Sequence, residues 1–178
     1  MEQRYTRKMT KQLAFCGLMA GLGTLVMLTG GLIPVLTYCS PLAAAALLLP
    51  VLLEYGKKPA LLVWLATALL ALAIGADKEA AFFYIFLGWY PVLKPRLDAL
   101  HRPLRLPVKL TVFLLSIGLM YYLLLSVFTL NAVVSDFADF SGAMTVAFLV
   151  ILAFVMLLYD MVLARLALLY VKKLRPKI

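Results

Sequence analysis

The sequence has few of the residues from which catalytic and metal sites are built. Its 178 residues include two cysteines, one histidine and eight acidic residues. Cys16 and Cys39 lie in or beside apolar segments without metal-ligand spacing, so we interpret them as small packing residues. His101 has no cluster of histidine or cysteine around it, and neither a Walker-type glycine loop nor a nucleophile-elbow serine occurs. We therefore expect no enzymatic activity, no catalytic residues, no cofactor and no metal.

Long polar segments are equally scarce, and the composition is that of a membrane protein. The chain is 65% hydrophobic, with a mean hydropathy of +1.03. A soluble domain of this length could not cover so much apolar surface. A membrane helix needs roughly 20 apolar residues, and the chain can supply six such helices with no room for a soluble domain. The sequence predicts an all-α polytopic membrane protein, a single six-helix transmembrane domain over residues 1–178. The predicted spans lie near 12–34, 37–55, 59–76, 78–94, 107–132 and 142–170.

Basic residues are distributed unevenly over this arrangement. With six spans, all lysines and arginines except Lys78 lie on one side of the membrane. The positive-inside rule places that side, with both termini, in the cytoplasm. The net charge of +9 is then explained by topology and by contacts with anionic lipid, so we expect no nucleic-acid partner. The short polar loops are typical of a protein of the bacterial plasma membrane.

Three consecutive charges, Asp77, Lys78 and Glu79, interrupt the apolar sequence on the opposite, outer side. Asp77 can cap the fourth span and Glu79 can lie in its first turn, but this leaves Lys78 unexplained. Glu79 shares a helix face with Phe82 and Phe83, and a charged group above an aromatic wall suits a small heteroaromatic ligand. Capping alone and capping combined with ligand contact both remain open. The candidate substrate-binding residues are Tyr38, Asp77, Lys78, Glu79, Phe83, Tyr84, Asn131, Asp136 and Asp139.

The first span carries a strip of small side chains. Four-residue steps from Cys16 to Ala20 and from Gly17 to Gly21 place them on one helix face, where they permit close helix contact in lipid. The strip can pack against the chain's own helices or dock onto another membrane subunit. Cys16, Gly17, Ala20 and Gly21 are therefore candidate docking residues.

Asp160 is an acidic residue inside the last predicted span. A carboxylate at that depth is costly and requires a partner. Arg165 lies about 140° around the helix from it, so Lys94, Arg96 or a basic N-terminal residue is a better candidate. We expect a structural intramembrane ion pair near the cytoplasmic interface, with a proton relay as the alternative.

Taken together, these features resemble the substrate-binding S components of energy-coupling factor (ECF) vitamin transporters. The similarity extends over nearly the whole chain and lies in the size and the six short-looped spans. It also includes the basic N-terminus that leads into the first span ("KQLAFCGLMAGLGTLVM") and the alanine-rich second span ("SPLAAAALLLPVLLEYG"). The resemblance implies a subunit that binds a micronutrient in a pocket open to the outside. It further implies partners, namely a membrane coupling subunit with two cytoplasmic ATPases, and a docking strip on the first helix at Cys16 and Ala20, with Gly17 and Gly21 alongside.

Two other functions remain open. The chain is also similar in size to small membrane scaffold or assembly subunits, which need no outward ligand site. A stand-alone proton-coupled carrier is the third possibility, and it would transport without ATPase partners. Ligand binding separates the first function from the scaffold, and dependence on ATPases separates it from the carrier.

Overall fold

The computed structural model describes residues 2–30, 36–75, 77–128 and 142–174, and all regular structure in these ranges is helical. The prediction of an all-α chain is therefore confirmed for the described residues. The elements are α1 (Glu2–Gly30), α2 (Leu36–Ala46), α3 (Leu48–Tyr55), α4 (Lys57–Ile74), α5 (Lys78–Leu87), α6 (Tyr90–Asp98), α7 (Arg102–Phe128) and α8 (Gly142–Leu169), followed by a π-helical turn (Tyr170–Leu174).

Five segments of the described chain are long and apolar enough to cross a membrane. They are Met9–Gly30, Thr37–Tyr55, Lys57–Ile74, Pro103–Met120 and Ala153–Lys173. These segments fall on the predicted first, second, third, fifth and sixth spans. The protein is thus a multi-pass membrane protein.

The predicted fourth span, residues 78–94, is divided between two helices. α5 ends at Leu87, and α6 begins at Tyr90 with Pro91 in its first turn. Proline has no backbone N–H to continue the preceding helix, although it fits well at a helix start. At the break, the Trp89 indole N–H donates to the Phe86 carbonyl over 2.5 Å and so satisfies one carbonyl of α5. Neither helix alone is long enough to cross the membrane, so the predicted crossing by residues 78–94 stays a prediction.

The second span is also interrupted, but without losing its direction. Leu47 separates α2 from α3 and keeps right-handed helical angles, with φ −66° and ψ −12°. Pro50 lies in the first turn of α3 and cannot donate to the carbonyl four residues earlier, which accounts for the interruption. By contrast, Gly56 has φ +85° and reverses the chain between α3 and α4 in a single residue.

The core is built where small residues allow helices to approach. α1 packs against α2 and α4, while α2 packs against α5 and α5 against α7. Ala44 and Ala45 on α2 and Ala80 and Ala81 on α5 are buried in one cluster. Small side chains such as these permit the close backbone contacts that hold helices together in lipid. The arrangement brings α6, α7 and α8 together at one end and α2 and α5 at the other.

Candidate functional site

Charged side chains from three helices meet in one group, which we call the ionic cluster. It consists of Tyr90, Lys94 and Asp98 on α6, Arg105 and Lys109 on α7, and Asp160 on α8.

Asp160 lies between two lysines in this cluster. Its Oδ1 accepts hydrogen bonds from Lys94 Nζ and from Tyr90 Oη, the latter over 2.8 Å. Its Oδ2 accepts from Lys109 Nζ over 2.7 Å. Lys94 and Lys109 are only 8% and 7% exposed, so they too need an anion nearby. The acidic residue in the last span therefore has two cationic partners contributed by other helices.

Asp98 is the second carboxylate of the cluster, and it contacts the same two lysines as Asp160. Its Oδ1 accepts from Lys109 Nζ over 2.6 Å and lies 3.0 Å from Arg105 Nη2, while its Oδ2 lies 3.4 Å from Lys94 Nζ. Partial burial acts to raise the pKa of Asp98, but the Lys109 hydrogen bond and the charge of Lys94 outweigh it. The pKa of this carboxyl consequently lies below its ordinary value.

The sequence predicts Lys94 as a possible partner of Asp160, whereas Lys109, Asp98 and Tyr90 are assigned to the site by the structure. Two features of the sequence indicate that Lys109 and Asp98 belong to this cluster. Lys109 falls inside the predicted fifth span, where a lysine needs an anion as much as Asp160 needs a cation. Lys94 and Asp98 are four residues apart on one helix, a spacing at which opposite charges meet.

At the other end of the bundle, Asp77 and Lys78 both have structural roles. The Asp77 carboxylate accepts from the Ala80 backbone N–H over 3.0 Å and caps α5, as its sequence position predicts. Lys78 Nζ donates to the Leu72 carbonyl over 2.7 Å. That carbonyl belongs to the last turn of α4, whose terminal C=O groups lack helical partners. Lys78, which the capping of α5 leaves unexplained, therefore provides a hydrogen-bond donor for a carbonyl at the end of α4.

Glu79 makes a contact of a different kind. Tyr38 Oη donates to Glu79 Oε1 over 2.8 Å and so links α2 to α5. The Tyr38 ring meets the Phe83 ring edge-to-face with centroids 5.8 Å apart. We call Tyr38, Glu79 and Phe83 the aromatic-carboxylate cluster.

The remaining candidate ligand residues lie elsewhere. Tyr84 is buried in the hydrophobic core, and its backbone carbonyl accepts a hydrogen bond from the Trp64 indole over 3.3 Å. Asn131, Asp136 and Asp139 lie outside the described residues. Of the nine candidates, the described part of the chain thus brings Tyr38, Glu79 and Phe83 into direct contact.

The small-residue strip of α1 has two distinct faces. On one, Gly23 lies so close to α4 that an added Cβ would come within 3.1 Å of Thr67 Cγ2. On the other, an added Cβ at Gly17 or Gly21 would meet no atom of another described helix within 4 Å. Gly17, but not Gly21, also lines a groove of about 580 Å³, which we call the α1–α4 groove. Its lining includes Cys16, Gly17 and Ala20 from α1 and Pro59, Leu62 and Ala66 from α4.

No metal site is evident among the described residues, which contain no suitable group of three or more histidine, cysteine or acidic side chains. Comparison of the chain with protein-family models, with curated proteins and with solved structures finds no match.

Proposed function

We propose that the chain is the substrate-binding subunit of an ECF-type importer in a bacterial plasma membrane. It captures a small, vitamin-like micronutrient from the outside. It then docks through α1 on a membrane coupling subunit that works with two cytoplasmic ATPases. Both termini lie in the cytoplasm in this proposal.

The open face of α1 is the observation that carries the proposal. Glycines in a membrane helix permit another helix to come close, and here an added Cβ at Gly17 or Gly21 would meet no described atom of another helix within 4 Å. The adjoining groove of about 580 Å³ gives room for the side chains of that second helix. The small residues on this face are thus not needed for the packing of the described chain, and a membrane partner is the use that such a strip has in lipid.

The aromatic-carboxylate cluster supports a ligand contact at the outer end. Tyr38 is 44% exposed, and it presents an aromatic ring next to the Glu79 carboxylate. A few polar groups placed against aromatic surface are what fix the orientation of a small ligand in its site. The side chains of Asp77 and Lys78 form hydrogen bonds with backbone groups. Among the described candidates, we therefore propose only Tyr38, Glu79 and Phe83 as ligand contacts.

Docking is tested by gentle affinity purification of the tagged full chain from its native membranes, followed by mass spectrometry. The wild type is expected to recover a membrane subunit and two ATPases. Gly17→Leu should lower that recovery by about tenfold, because overpacking a close helix contact costs ~1–3 kcal/mol. Gly118→Leu is the matched control, since Gly118 is an exposed glycine of α7 at which an added Cβ would likewise meet no described atom within 4 Å.

Two outcomes would contradict the docking proposal. If Gly17→Leu and Gly118→Leu lowered the recovery of the partner subunits equally, α1 would not be the docking face. Recovery of other membrane proteins without any ATPase would favour the scaffold function instead.

Ligand contact is tested on whatever small molecule is released from the purified wild-type chain and identified by mass spectrometry. Glu79→Gln should weaken its binding about tenfold, the effect of losing a hydrogen bond to a charged group. Lys78→Ala is the control and should leave the affinity unchanged, because the lysine contacts the Leu72 carbonyl. Unchanged affinity in Glu79→Gln would show that the Tyr38–Glu79 pair only joins α2 to α5.

A further inference from the structure

The ionic cluster has more positive than negative groups. Lys94, Arg105 and Lys109 face Asp98 and Asp160, so one positive charge has no counterpart within the cluster. The two lysines are buried and each contacts both carboxylates. The surplus charge therefore belongs to the most accessible cation, Arg105, whose side chain is 42% exposed.

Arg105 uses only part of its guanidinium within the chain. Its Nη2 contacts Asp98 twice, at 2.8 Å from the backbone oxygen and 3.0 Å from Oδ1. Its Nε is buried and has no hydrogen-bond partner among the described residues. A guanidinium has five N–H donors in a planar fork that fits phosphate oxygens. Both contacts with Asp98 are made by Nη2, so the donors of Nη1 remain for an anion that approaches from the exposed side.

The surroundings of Arg105 place it at the lipid interface. The apolar stretch of α7 begins at Pro103, so Arg105 lies in its first turn. Leu100, Leu104 and Leu106 are exposed around it. Exposed leucines next to basic residues are typical of segments that lie at the boundary between headgroups and acyl chains.

We infer that the corner between α6 and α7 binds the phosphate group of an anionic phospholipid, with Arg105 as the direct contact. The phosphate supplies the negative charge that the cluster lacks, and the exposed leucines lie against the acyl chains. Lys94 and Lys109 hold Asp98 in position, and Asp98 in turn orients the guanidinium. This inference concerns a different surface from the α1–α4 groove and does not depend on the import proposal.

Native mass spectrometry of the detergent-solubilised full chain tests the inference with phosphatidylglycerol and phosphatidylcholine as probes. Phosphatidylglycerol is expected to bind more tightly. Arg105→Gln should weaken its binding about fivefold, the effect of one basic residue at an anionic headgroup. Arg165→Gln is the matched control, because Arg165 is an exposed arginine of α8 without a hydrogen bond or ion pair in the described residues.

A second variant decides the question if Arg105→Gln folds poorly. Asp98→Asn removes one negative charge, while the backbone oxygen and the asparagine amide oxygen can still accept from Arg105 and keep it oriented. It should therefore strengthen phosphatidylglycerol binding by a similar factor. A cluster with a purely structural role would lose stability in this variant without gaining preference for the anionic lipid.

Three results would overturn the inference. They are equal binding of the two lipids, equal losses in Arg105→Gln and Arg165→Gln, and unchanged or weaker phosphatidylglycerol binding in Asp98→Asn. A competition experiment with inorganic phosphate distinguishes a lipid phosphate group from a soluble anion. If inorganic phosphate displaces phosphatidylglycerol completely at low millimolar concentration, the site takes a soluble anion and the lipid assignment is wrong.

Discussion

At the residue scale, Asp160 shows how a carboxylate is accommodated in a membrane helix. Two ammonium groups and a phenol hydroxyl surround it, so each of its oxygens has a donor. The same lysines also contact Asp98, and the five charges therefore form one network rather than isolated pairs. Such an arrangement favours a structural role for Asp160 over a proton relay, because a relay residue must be able to exchange its proton.

Asp160→Asn should accordingly lower the stability of the protein. Removing one partner of a buried ion pair leaves an uncompensated charge and costs about 3 kcal/mol. Thermal unfolding in detergent, followed by tryptophan fluorescence, measures the effect. Glu54→Gln is the control and should cost less than ~1 kcal/mol, since Glu54 is an exposed carboxylate that accepts one hydrogen bond from Tyr170. Equal stability of Asp160→Asn and the wild type would contradict the structural role.

At the element scale, α1 illustrates how one pattern of small residues divides between two uses. The repeat in the sequence is continuous, but its members differ in surroundings. Gly23 lies against Thr67 of α4, and Ala20 is buried in a cluster with Ala60 and Val63 of α4, whereas an added Cβ at Gly17 or Gly21 would meet no described atom within 4 Å. A helix exposes its residues at 100° intervals, so neighbouring small residues can face different surroundings. The strip is therefore partly a packing face and partly the surface that we propose for docking.

A matched pair of substitutions on α1 separates these two uses. Gly23→Leu should destabilise the protein by ~1–3 kcal/mol, because even its Cβ would press against Thr67. Gly21→Leu adds the same side chain where there is open space, and its unfolding temperature should match that of the wild type. Thermal unfolding in detergent again gives the comparison. If Gly21→Leu lowered the unfolding temperature as much as Gly23→Leu, the Gly21 face would also be packed within the folded chain.

At the scale of the whole molecule, the number of crossings depends on α5 and α6. If α5 and α6 were collinear, residues 78–98 would extend about 30 Å at 1.5 Å per residue, which is close to the thickness of the hydrocarbon layer. Two short helices with a break between them can thus cross where neither helix alone would. In a six-span bundle, Lys78 and His101 lie on opposite sides of the membrane.

Cysteine labelling tests this arrangement directly. Lys78→Cys and His101→Cys are made separately in a chain whose Cys16 and Cys39 are replaced by serine. A membrane-impermeant maleimide should label Lys78→Cys in intact cells and His101→Cys only after the membrane is opened. Both positions are exposed, so access from the water on each side is the variable that differs. Labelling of both positions from the same side would rule out a crossing by α5 and α6.

Properties that depend on composition and on residues close together in the chain can be predicted from the sequence. Hydropathy predicts the membrane helices, and the cap at Asp77 follows from its place before an apolar run. The charge of Asp160 in a span predicts that a cation must lie nearby, because an isolated carboxylate there is too costly. These conclusions need no knowledge of which helices are neighbours.

Which residues meet depends instead on how the helices pack in three dimensions. Lys109 and Asp160 are 51 positions apart and Tyr38 and Glu79 are 41 apart, so their contacts depend on how distant helices pack. The tertiary structure likewise directs Lys78 back to Leu72 and leaves Gly17 open while it covers Gly23. Local sequence specifies a helix and its polar requirements, but the partner of each side chain is set by the relative positions of whole helices.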